Sequence, residues 1–294
     1  MRVYHFTEQP YPDAWIPGAE SLRVSLPNVL CDPHKAADLL NRYLDEWVLA
    51  DELGFDIMVN EHHATATCLS SSCNIVLGIL ARITSRARLL ALGIPLANRP
   101  DPLRVAEEMA LVDVISRGRL EMGFVKGVPY EVAPANSNPS RMMDRLWEAH
   151  DLILKAMTER NGPFSWEGEY FHYRSVNIWP RPYQQPHPPV WITSLNPAGA
   201  PAVAERGHVL ATFLTGLASK KLFDAYRQQF ALTHGRPAGC DRFAYLALCA
   251  VAASEKEALN RAYEVSSYLR TTAVASEHYA YPPGYMAPQA MIPI

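Results

Sequence analysis

The chain has 294 residues, of which 49% are hydrophobic and 19% are charged, so it is long and apolar enough to bury a full core. Its net charge of −3 and its lack of a lysine or arginine run exclude the usual electrostatic signature of binding to nucleic acid or to an acidic membrane surface. Five cysteines without a Cys-x-x-Cys motif, and a polar N-terminus, indicate no disulfide framework, zinc site or secretory leader. We therefore expect a globular protein of the cytoplasm.

Short apolar runs alternate with amphipathic segments along most of the chain. The runs predict strands over residues 1–6, 55–60, 88–94, 120–124, 190–193, 208–212 and 243–252. The amphipathic segments predict helices over residues 35–53, 74–84, 103–115, 141–158, 198–206, 219–232 and 256–269. This alternation predicts an α/β fold with a parallel sheet, and a (β/α)8 TIM barrel in a single domain, 1–294, fits it best. Seven strands are predicted, so the eighth unit is missing from the chain as given.

Three segments interrupt the alternation. Residues 7–34 are rich in proline, and a loop of this length in a compact domain usually forms a lid or a binding loop. Residues 163–173 contain an aromatic stretch that predicts a small inserted hairpin, and residues 272–294 predict an irregular tail. We expect the first of these loops, together with residues 128–140, to lie over the carboxyl ends of the strands.

The tripeptide Glu61-His62-His63 directly follows the second predicted strand. Parallel α/β sheets carry out their chemistry at the carboxyl ends of strands, so these ionisable side chains are candidates for catalysis. Adjacent residues of a strand point to opposite faces, and we therefore expect at most one of the two histidines to face a ligand. A packed, hydrogen-bonded histidine is the alternative. Adjacent residues lack the spacing of a tetrahedral site, so no metal is predicted.

Two further strand ends have features that suit a phosphate. After the fourth strand, Lys126 supplies a cation, and the flanking Gly123 and Gly127 let a ligand approach the backbone. After the fifth strand, Asn196-Pro197 predicts a helix start whose free N–H groups can hold an anion. These two features can grip one phosphate between them. A solvated lysine in a glycine turn and an ordinary helix cap are the alternatives.

The third predicted helix carries three carboxylates, Glu107, Glu108 and Asp113. They lie away from the strand ends, so we predict that they form ion pairs and not an acid–base set. Neither a G-x-G-x-x-G motif nor a P-loop is present, so the usual signature of a dinucleotide or triphosphate fold is absent.

Several motifs occur together along the chain. They are Leu53-Gly54-Phe55-Asp56, Glu61-His62-His63, the segment 101–108, Asp113-x-x-Ser116-x-Gly118-Arg119, Gly123-x-x-Lys126-Gly127, Ser140-Arg141 and the segment 188–192. In combination they resemble the bacterial luciferase-like flavin-dependent monooxygenases, over residues 1–269.

This resemblance implies a barrel of the luciferase type, usually dimeric, that binds FMN at its C-terminal mouth. It implies an enzyme in which reduced FMN, supplied by a separate flavin reductase, activates O2 through a peroxyflavin and oxygenates a small organic substrate. Ile75, Ile79 and Leu80 on the second predicted helix are candidates for the surface of a homodimer. A non-catalytic flavin-binding protein is one alternative, and a deazaflavin-dependent or flavin- or heterocycle-cleaving member of the family is another.

The resemblance also assigns residues. His62 matches the catalytic histidine of the family, and we place His63 and Glu61 with it in the catalytic group. The expected cofactor-binding residues lie at the ends of four strands: Asn60, Ile94, Lys126, Val128, Tyr130, Thr193, Ser194, Leu195, Asn196 and Gly199. Lys126 stands in place of a phosphate-binding arginine and Leu195 in place of an acidic residue, so the affinity for FMN is expected to differ from that of the luciferases.

Overall fold

The computed structural model describes residues 1–15, 21–214, 216–272 and 274–285. Backbone contacts divide these residues into two units. The larger comprises residues 2–188 and 274–285, apart from 16–20, and the smaller comprises residue 1 and residues 189–272, apart from 215. Both units are built from parallel strands that alternate with helices.

The larger unit contains four parallel strands in the order β1 to β4, and each of its long helices follows a strand or leads into one. The strands are β1 (Tyr4–Phe6), β2 (Asp56–Val59), β3 (Leu89–Pro95) and β4 (Leu120–Val125). The helices are α1 (Pro33–Glu52), α2 (Cys73–Ile83), α3 (Pro102–Ser116) and α4 (Met142–Thr158). Strands β2, β3 and β4 are almost entirely buried, as expected for a parallel sheet whose faces are covered by other elements.

Two of the helices begin with an aspartate followed by a proline. The Asp32 carboxylate accepts a hydrogen bond from the backbone N–H of His34 (2.8 Å), and the Asp101 carboxylate accepts one from Arg104 N–H (3.2 Å). The proline that follows each aspartate has no N–H to leave unsatisfied in the first turn. The local sequence therefore determines where α1 and α3 start.

A buried carboxylate in the last turn of α1 organises the loop before β3. Asp51 accepts hydrogen bonds from the backbone N–H groups of Ser85 (2.9 Å), Arg86 (2.9 Å) and Ala87 (2.5 Å), and a further one from the Ser85 hydroxyl (3.2 Å). Burial by itself raises the pKa of the Asp51 carboxyl, but these hydrogen bonds together outweigh burial and leave the pKa below its ordinary value. The ionised carboxylate therefore stabilises the fold.

We expect Asp51→Ala to lower the free energy of unfolding at neutral pH by about 1–3 kcal/mol, because three backbone donors lose their acceptor. A depressed carboxyl pKa contributes stability above its unfolded value, and this contribution is lost as the pH falls through the folded pKa. The difference between wild type and variant, measured by urea unfolding, should therefore shrink below about pH 4. Asp45→Ala, at an exposed site on the same helix, is the control and should change stability little. Equal losses in both variants would contradict this account.

The inserted segment after α4 forms an antiparallel hairpin of β5 (Phe164–Glu167) and β6 (His172–Val176), which begins where the sequence predicts one and extends past the predicted end at residue 173. Glu148 of α4 holds its turn, since its carboxylate accepts hydrogen bonds from the backbone N–H groups of Glu169 (2.9 Å), Tyr170 (3.0 Å) and Phe171 (3.0 Å).

The smaller unit contains three parallel strands in the order β7 to β9. They are β7 (Val190–Thr193), β8 (Val209–Phe213) and β9 (Phe243–Leu246). The helices are α5 (Ala200–Glu205), α6 (Ser219–His234) and α7 (Glu255–Thr272). The short helix α8 (Glu277–Ala280) follows and belongs to the larger unit.

The observed elements confirm the predicted α/β class with parallel strands, and most boundaries agree within two residues. The predicted strand 243–252 is too long, since β9 ends at Leu246. The tail predicted as irregular contains α8, and its residues 286–294 lie outside the described residues. Seven parallel strands, and no eighth, occur in the described part of the chain. The prediction of one domain over 1–294 stays a prediction. None of the helices in the described residues is long and apolar enough to cross a membrane.

The ion pairs predicted for α3 are present for two of its three carboxylates. Arg104 contacts Glu107 (3.3 Å) and Glu108 (3.0 Å) on the helix surface. The prediction is wrong for Asp113, which is fully buried and accepts hydrogen bonds from the backbone and side-chain amides of Gln184, both at 2.8 Å. Position in the helix alone does not distinguish a solvated carboxylate from one that anchors a loop.

Candidate active site

His62 lies in the loop after β2, with its imidazole between two carboxylates. Its Nδ1 is 3.0 Å from Glu131 Oε1 and 3.1 Å from the Tyr130 hydroxyl, whereas its Nε2 is 4.0 Å from Glu8 Oε1. The His62 side chain is 18% exposed, so part of it remains accessible. Because β2 ends at Val59, both histidines lie beyond the strand, and the prediction from strand alternation does not apply to them.

The partners of His62 come from loops after β1 and β4. Glu131 is 2% exposed, and its Oε1 also accepts a hydrogen bond from the backbone N–H of His63 (2.8 Å). Arg23, from the proline-rich loop, donates to the Tyr130 hydroxyl and lies 4.4 Å from the centre of its ring. Burial raises the pKa of Tyr130, so its hydroxyl stays protonated.

Sequence reasoning predicted Tyr130 as a cofactor contact but missed Glu8, Arg23 and Glu131. Glu131 adjoins Tyr130 in a segment predicted to overlie the strand ends, and this position was the one signal that pointed to it.

His63 has a separate partner in Glu61. The Glu61 side chain is fully buried; its Oε1 is 3.1 Å from His63 Nε2 and accepts a hydrogen bond from Arg99 (2.5 Å), and its Oε2 accepts one from the backbone N–H of Cys73 (3.2 Å). The hydrogen bond to Glu61 is the largest cause of the raised pKa of His63. Since Cys73 is the first residue of α2, Glu61 ties the loop after β2 to that helix.

Lys126 follows β4 and carries a half-buried cation. Its ammonium donates a hydrogen bond to the backbone carbonyl of Tyr285 (2.9 Å) and lies 3.4 Å from the centre of the Tyr285 ring, whose hydroxyl donates to Gly127 O (2.5 Å). Within the described residues no carboxylate forms an ion pair with Lys126, and burial lowers its pKa. An ammonium has three donors, so Lys126 retains donors for an anion.

Three uncharged side chains near these strand ends have a buried polar atom without a hydrogen-bond partner among the described residues. They are Gln9 Nε2 after β1, Ser70 Oγ in the loop that leads to α2, and Asn98 Nδ2 after β3. Buried polar groups are usually satisfied in native proteins, so a bound group that supplies partners would complete them. With the desolvated cation of Lys126, they fit a polar, anionic ligand such as a flavin nucleotide.

The other residues of the larger unit that the sequence predicts as cofactor contacts differ in their exposure. Asn60 is buried, and its Oδ1 lies 3.8 Å from Cys68 Sγ. Ile94 is fully buried in β3 and presents no side-chain surface. Val128 is partly exposed, just before the turn that carries Tyr130 and Glu131. Their roles toward a cofactor stay predictions.

The candidates of the smaller unit lie between β7 and α5. Asn196 caps a single turn, since its Oδ1 accepts a hydrogen bond from Ala198 N–H (2.9 Å), as the sequence predicts. The Ser194 hydroxyl donates a hydrogen bond to Asn196 O (2.9 Å). A Cβ on Gly199 would lie 2.7 Å from the Ser194 hydroxyl oxygen. Thr193 and Ser194 are partly exposed, and Leu195 is exposed. Their roles also stay predictions.

Comparison with known proteins gives the family. The model of the luciferase-like monooxygenase family matches residues 22–290. The chain belongs to this family. It is 32% identical over 200 residues to protein y4wF of Sinorhizobium fredii, covering 66% of this chain and 58% of that one. It is 28% identical over 171 residues to the oxygenase component of the flavin-dependent trigonelline monooxygenase of Acinetobacter baylyi, covering 56% of this chain and 46% of that one.

The solved structures agree on the fold. Monooxygenase RslO1 from Streptomyces bottropensis aligns with a TM-score of 0.75 and 26% identity, covering 82% of this chain and 75% of that one. This member of the luciferase-like family therefore has the α/β TIM-barrel fold class of its relatives, with seven parallel strands in its described part. The chain spans about half the length of the two curated relatives.

Proposed function

We propose that this chain is an oxygenase that uses reduced FMN and O2 to oxygenate a small organic substrate, and that a separate reductase in the cytoplasm supplies the reduced FMN. The observation that carries the proposal is the setting of His62: its Nδ1 is engaged by the buried Glu131 and Tyr130, its Nε2 lies 4.0 Å from Glu8 Oε1, and its side chain is 18% exposed. A histidine so placed can exchange a proton with a bound reactant. Family membership supports the flavin-dependent class of chemistry.

The residues of the larger unit fit FMN in two respects. Lys126 is a desolvated cation with free donors, which suits the phosphate, and Gln9, Ser70 and Asn98 offer unpartnered polar atoms. Bound reduced flavin would supply the electrons for the reduction of O2. The buried Glu131 and Tyr130 limit the access of water to one side of His62, and limited water favours oxygenation over release of hydrogen peroxide.

The test starts with purified protein and added cofactors. We expect FMN to bind with a perturbed flavin absorbance spectrum, and deazaflavin F420 to bind more weakly. With a flavin reductase, NADH and ¹⁸O2, we expect ¹⁸O in the product from at least one member of a panel of small organic acceptors that includes trigonelline.

Three different results would each contradict the proposed oxygenase. FMN binding without O2 consumption would favour a non-catalytic flavin-binding protein. Preferred binding of F420 would favour a deazaflavin-dependent oxidoreductase. Cleavage of the flavin or of a heterocycle without incorporation of ¹⁸O would favour an enzyme that cleaves these rings.

We expect Lys126→Met to weaken FMN binding at neutral pH at least about tenfold, because a charge-assisted hydrogen bond to the phosphate contributes about 1.5–3 kcal/mol. Since burial lowers the pKa of Lys126, the affinity of the wild type should fall with rising pH before an ordinary lysine would lose its proton. Fluorescence titration measures both effects. Lys155→Met is the matched control, because Lys155 also lies over an aromatic ring, Phe164 (4.9 Å), but on the α4 surface. Riboflavin, which lacks the phosphate, should bind wild type and Lys126→Met equally.

We further propose that the protein is a homodimer that uses the outer face of α2. Ile75, Ile79 and Ile83 recur every four residues there and are 67%, 40% and 46% exposed. The prediction that Leu80 belongs to this surface is wrong, because Leu80 is fully buried and cannot contact a partner. Ile79→Glu is expected to produce a folded monomer in analytical ultracentrifugation, because it places a charge in an apolar contact. Ile79→Val should remain dimeric, and a dimeric Ile79→Glu would exclude this surface.

A further inference from the structure

The two hydrogen-bonding groups at His62 Nδ1 together determine which ring nitrogen carries the hydrogen. An ionised carboxylate only accepts hydrogen bonds, so the 3.0 Å contact with Glu131 Oε1 requires a hydrogen on Nδ1. The Tyr130 oxygen accepts a hydrogen bond from Arg23 and lies 3.1 Å from the same Nδ1. Its second lone pair can therefore share the hydrogen on Nδ1. Both contacts are therefore consistent with Nδ1–H.

The orientation of Glu131 is itself held by the backbone. The oxygen that faces His62 also accepts the N–H of His63 at 2.8 Å, and Glu131 is buried. A carboxylate held in this way cannot turn away from the imidazole without leaving the partly buried N–H of His63 unsatisfied, which is costly. This contact fixes both the position and the hydrogen-bonding polarity of the ring.

We propose that Glu131 is the positioning residue of His62 and that it keeps the neutral imidazole in the Nδ1–H form. Nε2 then carries the lone pair and is the atom that takes up or releases a proton. It lies 4.0 Å from Glu8 Oε1, so a hydrogen acquired by Nε2 has a carboxylate nearby. This inference deepens the proposed function, because it names the atom of His62 that exchanges the proton and the residue that selects it.

The proposal makes different predictions for two substitutions of Glu131. In Glu131→Gln, the amide oxygen must still face the His63 N–H, so it also accepts from His62 Nδ1–H and the tautomer is retained. In Glu131→Ala, the acceptor is lost, and the Tyr130 hydroxyl becomes free to donate to Nδ1. The hydrogen of the neutral imidazole then moves to Nε2.

The tautomer can be measured without flavin by long-range ¹H–¹⁵N NMR of the full chain labelled in histidine, at a pH where the imidazole signals no longer change. The signals of His62 are assigned as those that are missing from the spectrum of His62→Asn. We expect wild type and Glu131→Gln to show Nδ1–H, and Glu131→Ala to show mainly Nε2–H. Nε2–H in the wild type, or an unchanged tautomer in a folded Glu131→Ala, would overturn the proposal. If Glu131→Ala does not fold, Tyr130→Phe decides, since it must retain Nδ1–H when Glu131 is the acceptor.

Kinetics and a reciprocal control separate this inference from the proposed function. We expect Glu131→Ala to lower kcat by about 10–100-fold with little change in KM, and Glu131→Gln to retain most of the wild-type kcat. Glu61→Gln should alter the NMR signals of His63 and leave the tautomer of His62 unchanged. The NMR result does not depend on turnover, so a protein without oxygenase activity would remove the proposed function and leave the assignment of Glu131 standing. Equal kcat losses in both Glu131 variants, with an unchanged tautomer, would reduce Glu131 to a structural residue.

Discussion

Replacement of His62 by asparagine is expected to reduce the rate of substrate oxygenation by about 10²–10⁴-fold, the usual contribution of a positioned acid–base group. An asparagine amide can accept a hydrogen bond but cannot take up a proton near neutral pH. The affinity for FMN should change far less, because Lys126 and not His62 is the proposed phosphate contact. The measurement pairs ¹⁸O incorporation into product with the hydrogen peroxide released. In the variant, most of the O2 consumed should appear as peroxide.

The controls for this substitution are two other histidines. His172→Asn changes an exposed histidine of the β5–β6 hairpin and should retain full activity. His63→Asn tests the prediction that the whole doublet is catalytic, and we expect a smaller loss than for His62, because Glu61 engages its Nε2. Unchanged oxygenation by a folded His62→Asn protein would remove His62 from the catalytic group. A larger loss in His63→Asn would transfer the assignment to the second histidine.

Glu61→Ala is expected to have the largest effect on stability, a loss of about 3–5 kcal/mol in the free energy of unfolding. The substitution removes one carboxylate from a fully buried site and leaves Arg99 without its ion-pair partner. It also removes the acceptor of the first N–H of α2. Glu61→Gln should lose less, because an amide oxygen preserves one of these hydrogen bonds. Urea unfolding monitored by circular dichroism measures both variants.

The pH dependence of this effect follows from the raised pKa of His63. A histidine whose folded pKa lies above its unfolded value contributes stability that is complete below the unfolded pKa, about 6.5, and is lost as the pH rises through the folded pKa. The stability difference between wild type and Glu61→Gln should therefore be larger at pH 6 than at pH 9. A stability difference independent of pH would show that the contact between His63 and Glu61 contributes no pH-dependent stability.

The control for the Glu61 variants is Glu107→Gln. Glu107 forms an exposed ion pair with Arg104 on α3, and such pairs contribute at most about 1 kcal/mol. A loss in Glu107→Gln as large as that in Glu61→Ala would mean that burial does not explain the effect.

Local patterns in the sequence predicted most of the elements. Strand β7 begins and ends at the predicted residues, and α1 and α3 begin close to their predicted starts, because alternation, helical spacing and caps are properties of neighbouring residues. The apolar run after Leu246 misled the prediction of β9. An apolar run shows that a segment can form a strand, but a strand also requires a neighbour that pairs with its backbone, and β9 pairs with β8 only as far as Leu246.

The sequence by itself determined the fold class, the strand that leads to His62 and the family resemblance. Only the tertiary structure decided which atoms surround the imidazole. Glu131 is 69 residues from His62, and Tyr285 is 159 residues from Lys126. These contacts form because parallel strands bring the loops at their carboxyl ends to one edge of the sheet, and no local periodicity encodes which side chains of those loops meet.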